Sequence, residues 1–145
     1  MSAQRRGASL LLALLLAACA AAPAPGGIRV ADVWARPVAS AGGTTGLFFR
    51  IENVSEVGDR LLGAETALAE SVEIHQTMME GDVMQMRPLS EVPIPAGGSV
   101  VFEPGGLHMM VLGVAEPLAV GERFAVTLRF ERAGNILVEA EVREP

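Results

Sequence analysis

The chain has no lysine and no tyrosine, one tryptophan, one cysteine and two histidines in 145 residues. Each scarcity excludes something. A lone cysteine, Cys19, leaves no intramolecular disulfide, no CxxC redox pair and no catalytic thiol in the body of the chain. The fold must therefore be stabilised by its apolar core, and about 115 residues after the leader are enough for one. All eleven cationic residues are arginines, set against seventeen acidic residues. Removing Arg5 and Arg6 with the leader leaves nine against seventeen, a net charge of −8. An acidic domain without a basic patch argues against nucleic acid and against electrostatic docking on anionic lipid. No nucleophile–base–acid set and no serine elbow are visible, so the chain does not read as an enzyme.

The first segment reads as a leader. "MSAQRRGASLLLALLLAACA" has a short basic start, an apolar run from Leu10 to Ala18 and small residues at its end. That is the anatomy of a secretory signal peptide, too short to span a membrane as a helix. Leu16-Ala17-Ala18-Cys19 is similar to a bacterial lipobox, which implies cleavage before Cys19 and lipid on its thiol. Two acyl chains give stable anchoring. The expected organisation is thus a signal peptide over 1–18, a lipidated Cys19 with a Pro/Gly-rich tether over 19–28, and one domain over 29–145. Membrane contact is expected through the lipid alone, and the domain is expected to be a monomer.

The domain is a series of short β-rich runs separated by turn chemistry. They cover 28–35, 46–53, 60–66, 71–78, 82–89, 99–103, 107–113, 123–131 and 135–142. In "RFAVTLRF", Phe124, Val126, Leu128 and Phe130 fall on one face, and Arg123, Thr127 and Arg129 on the other. Many short alternating strands predict an all-β sandwich or barrel. "AETALAES" over 64–71 has the makings of one helical turn at most. Trp34 reads as core.

Imidazole and sulfur are concentrated instead of spread. Both histidines and six of the seven methionines lie between His75 and Met110, in "HQTMMEGDVMQM" and "GLHMM". Glu80-Gly81-Asp82 is a turn signal between strand-like runs, so His75 and Met86 are expected on facing strands of a hairpin. A Glu80-Gly81 loop sets them directly opposite, and a Gly81-Asp82 loop sets them on a near diagonal. His108 and Met110 are two apart on a strand and share a face. Two imidazoles and two thioethers form a neutral, soft donor set, which selects Cu(I) over harder ions; with no thiolate, a blue-copper site is excluded. Taken singly, Met78, Met79, Met84 and Met109 read as core or rim packing, the commonest role of methionine.

The intervals carry a resemblance. His75, ten residues, Met86, twenty-one residues, His108, one residue and Met110 spell H-x10-M-x21-H-x-M. With "VADVWARP", "DRLLGAET", "VEIHQTM", "MQMRPL", "IPAGGSVVFEPGGLHMMVLG" and "LRFERAG" around it, this resembles the periplasmic PCu(A)C copper chaperones over nearly all of 29–142. The resemblance implies a cupredoxin-like Greek-key β-sandwich or barrel. It implies Cu(I) held by His75, Met86, His108 and Met110, and a periplasmic location, to which the lipobox adds an expected lipid anchor on a bacterial membrane. It also implies delivery toward the Cu(A) centre of cytochrome c oxidase, to subunit II directly or through a Sco-type protein. Glu73, on the strand face of His75, is a candidate to orient that imidazole; Met79, Met84 and Met109 are candidates to surround the ligands. Two features depart from the pattern: the chain ends at "EVREP" without a Met/His-rich extension, and the lipobox implies a tethered protein in place of a freely diffusing carrier, with Ala20 after Cys19 where an inner-membrane retention signal has Asp. Sequestration of copper by the same four ligands, without dedicated delivery, is the alternative reading.

Overall fold

The computed structural model describes residues 25–145; the leader, Cys19 and most of the tether lie outside them. After a short turn at Pro25–Gly27 the chain runs through ten strands: β1 (Ile28–Ala35), β2 (Gly43–Asn53), β3 (Asp59–Glu65), β4 (Ala69–Glu80), β5 (Val83–Leu89), β6 (Val92–Ile94), β7 (Ser99–Phe102), β8 (Leu107–Val114), β9 (Arg123–Phe130) and β10 (Gly134–Val142). They pair in the order β5-β4-β8-β2-β1-β10-β9-β3-β6, with β7 added to β2. Only β4–β5, β1–β2 and β9–β10 are also neighbours in sequence, so the other pairings are made by crossovers.

Two devices fold that sheet over its core. β1 is bulged between Ala31 and Trp34, where Asp32 takes a positive φ of 53°. Beyond the bulge, Trp34 and Ala35 pair with β2 on one side and, in parallel, with β10 on the other. β2, the longer partner, holds β8 along its first half and β7 along its second. Period-two alternation then turns the apolar residues of both halves inward. Leu47, Phe49, Ile51, Met109 and Val111 from one half meet Leu61, Val126, Leu128 and Phe130 from the other in a single buried cluster. Phe49 and Phe102 stack at its centre, with ring centroids 4.3 Å apart. The all-β expectation agrees with this architecture, and β9 buries Phe124, Val126, Leu128 and Phe130 as its alternation predicts.

Four local expectations are corrected. β6 is absent from the sequence reading, because three residues are too few to show a period. Residues 64–71 form no helical turn; they end β3, reverse at Ala67-Leu68 and begin β4. Ile28, assigned to the tether, is fully buried at the start of β1, so the ordered domain includes it. Trp34 is not core: it is half-buried on the outer side of the sheet against Phe48, centroids 4.6 Å apart.

Candidate metal centre

Three adjacent strands, β5, β4 and β8, bring the imidazoles and thioethers together. The β4–β5 hairpin turns through Gly81 and Asp82, with Glu80 paired to Val83. Gly81 has φ 65° while Asp82 keeps a negative φ, the glycine-first pattern that a two-residue II′ loop requires. The loop is therefore the second of the two alternatives open to the sequence. In this register His75 faces Pro88, and Met86 faces Thr77. Because Thr77 follows His75 by two residues, Met86 shares the face of His75 and lies diagonally from it.

β8 completes the set from the other side of β4. His75 is directly opposite His108, and Glu73 is opposite Met110. The imidazoles meet edge to face with centroids 6.0 Å apart. One ion bonded at about 2 Å to a nitrogen of each ring can bridge such a span. The sheet face thus carries His75, His108, Met86 and Met110 within one residue step of each other along the ladders.

The hydrogen bonds leave one nitrogen of each ring free. His108 Nδ1 donates to the Gly106 carbonyl at 3.0 Å, which leaves the Nε2 lone pair unprotonated. His75 Nε2 donates to Glu73 Oε2 at 2.8 Å, which leaves Nδ1 as the lone-pair nitrogen. Among the described residues, His75 Nδ1 is the one buried side-chain nitrogen or oxygen without a partner. A buried, unpaired acceptor is costly unless something binds it. A cation fits that vacancy in its bonding, and a soft one fits the thioethers beside it.

A cavity of about 350 Å³ opens beside these residues, with Met84, Met86, His108 and Met110 in its wall and Phe48 against Gly46 beside them. His75 borders His108 but does not itself line the cavity. Among the described residues the lining holds no carboxylate and one cation, Arg36, whose guanidinium lies 5.6 Å from the centre of the Phe48 ring. Nor do three His, Cys, Asp or Glu side chains gather anywhere among the described residues.

The remaining methionines divide. Met109 is fully buried and faces the core from the reverse side of β8, so it packs among core residues and not beside the candidate ligands. Met78, Met79 and Met84 are exposed, so core packing describes Met109 alone. Met79 and Met84 pair across the hairpin on the face of Met86. Sequence reasoning missed Phe48, Arg36 and Thr77. The signal for Phe48 was present: in "GLFF" two successive phenylalanines on a strand must point to opposite faces, and only Phe49 can enter the core.

Comparison with known proteins places this geometry among relatives. The family described as "Putative lipoprotein LpqE-like" matches residues 28–142. The chain is 31% identical over 130 residues to "Putative lipoprotein Lxx21020" of Leifsonia xyli subsp. xyli, covering 86% of this chain and 77% of the relative. It is 25% identical over 124 residues to protein RP573 of Rickettsia prowazekii, covering 83% and 68%. Among solved structures, the copper-bound PCuAC domain from PmoF2 superposes with a TM-score of 0.72 at 26% identity, covering 84% of this chain and 97% of that one. The Cu(I) form of DR1885 from Deinococcus radiodurans gives 0.61 at 29% identity, covering 79% and 78%. The fold is the cupredoxin-like fold of PCuAC domains.

Proposed function

The chain belongs to the LpqE-like family, and from that premise we propose that it is a copper chaperone of the PCuAC type, carrying one Cu(I) on His75, Met86, His108 and Met110. The observation that carries this reading is the register of β4: it sets His75 opposite His108 and diagonal to Met86, with Met110 one step further on the same face. The copper-bound and Cu(I) states of the PmoF2 and DR1885 structures support the choice of ion.

The chemistry suits carriage and not redox cycling. Four neutral donors hold a monovalent ion without thiolate, and thioethers are weak enough to be replaced one at a time by an acceptor. Met86 is 56% exposed, whereas His108 is 5% exposed. An incoming ligand therefore meets Met86 first, and the buried imidazole releases last. In this reading the protein is no enzyme; its copper passes on unchanged. The acceptor is the Cu(A) centre of cytochrome c oxidase, reached at subunit II directly or through a Sco-type protein. A lipid on Cys19 holds the domain to the periplasmic side of a bacterial membrane, in keeping with the lipoprotein names of its relatives.

Anaerobic titration of residues 20–145 with Cu(I) against a chromophoric chelator tests the core of this. One tight equivalent is expected, weakened about tenfold or more by His75→Ala, Met86→Ala, His108→Ala or Met110→Ala. Failure to compete with the chelator would sink the reading.

A further inference from the structure

The β4–β5 hairpin carries more thioether than the four-ligand site uses. Met79 pairs directly with Met84, and Met86 follows Met84 by two residues on the same face. Their exposures are 63%, 62% and 56%, so the core does not account for them. Met84 and Met86 line the cavity beside His108; Met79 lies farther out, next to the loop. Cross-strand neighbours stand about 5 Å apart at Cβ, and residues two apart on a strand are separated by about 6.6 Å. Three rotatable bonds in each side chain let sulfurs at those spacings converge. Three neutral sulfurs make a donor set for a soft monovalent cation and for little else.

We propose that Met79, Met84 and Met86 form a second, transient Cu(I) subsite through which the ion enters and leaves the histidines. The proposal rests on the reading of His75, Met86, His108 and Met110 as the resting Cu(I) site. Met86 belongs to both sites and stays bound while the others exchange. On entry, the Cu–S bonds to Met79 and Met84 break and Cu–N bonds form to the free lone pairs of His75 and His108, with Met110 adding the last sulfur. Copper remains Cu(I) throughout, and no proton or electron moves. Release runs the same exchange in reverse.

The test uses the double variant Met79→Leu/Met84→Leu, which keeps the side chains' bulk and removes their sulfur. Equilibrium affinity for the first Cu(I) is expected to stay within about twofold of wild type, while the rate of transfer to a chelator falls about tenfold. In a His75→Ala variant labelled at its methionine methyls, added Cu(I) is expected to move Met79, Met84 and Met86; the core Met109 methyl stays put and reports that the fold is intact. An unchanged transfer rate, or Met79 and Met84 methyls that ignore Cu(I), overturns the subsite. Movement of those methyls in a wild-type chain that holds no ion at its histidines would keep the subsite and sink the four-ligand site.

Discussion

The ring of Phe48 lies over Gly46: a Cβ at position 46 would stand 2.6 Å from Phe48 Cζ. Gly46 in turn faces Met110 in the β2–β8 ladder. The missing side chain therefore lets an aromatic ring lie against the sheet beside a proposed ligand. Gly46→Ala is expected to push the ring aside, loosen its contact with Trp34 and cost about 1–3 kcal/mol of stability. Trp34 is the only tryptophan in a chain without tyrosine, so its fluorescence reads the displacement directly. Emission and Cu(I) affinity both unchanged would mean that the ring is not seated by the glycine.

Met109 and Met110 are adjacent in sequence and opposite in role. Met109 is fully buried in the core; Met110 is half-buried at the cavity. Met109→Ala is expected to cost about 2–5 kcal/mol in denaturant unfolding, because it leaves a void among well-packed neighbours. Cu(I) stoichiometry should stay at one wherever that variant is folded. Met110→Ala should show the reverse pattern: little loss of stability and a large loss of affinity. A matching pair of stability losses would contradict the assignment of faces.

That contrast also marks what could be read in advance. Alternation in "RFAVTLRF" and the two-residue spacing of His108 and Met110 are local patterns, and the chain obeys them because each strand buries one face. Which strands become neighbours is set by crossovers and by the bulge at Asp32, and no local pattern encodes those. So the His75–Met86 relation was open between two loops until the pairing of Glu80 with Val83 set the turn at Gly81-Asp82. The direct His75–His108 opposition was not legible at all, since it depends on β4 and β8 lying side by side with residues 81–106 between them. Met79 and Met84 read as core or rim packing because methionine commonly packs, and only their exposure takes them out of the core.

Asp59, at the start of β3, supports the fold outside the candidate metal centre. Its buried carboxylate accepts hydrogen bonds from the backbone N–H groups of Arg60, Arg132 and Ala133, at 2.7, 2.9 and 2.9 Å. It thereby joins the start of β3 to the turn between β9 and β10. Asp59→Ala strands three donors, of which the Ala133 N–H lies in a buried setting, and is expected to cost about 1–3 kcal/mol. The measurement is a urea midpoint, with Cu(I) affinity as the control. Loss of affinity without loss of stability would mean that Asp59 and the candidate metal centre are coupled in a way the hydrogen bonds do not explain.

In the proposed site Glu73 is expected to act on copper without touching it. Its carboxylate accepts from His75 Nε2 at 2.8 Å and so holds the ring in the tautomer that leaves Nδ1 free. The carboxylate is half exposed, so its contribution to folding is small; its expected part in the proposed site is to hold the tautomer. Glu73→Gln keeps an acceptor of the same shape and loses the charge; Glu73→Leu loses both. Cu(I) affinity is expected to fall modestly in the first variant and about tenfold or more in the second, with stability unchanged in both. Because an imidazole with the wrong nitrogen protonated must exchange a proton before binding, the Leu variant should also load more slowly. If both variants bind as wild type does, the Glu73–His75 pair is a surface contact, and the tautomer is chosen by the ion itself.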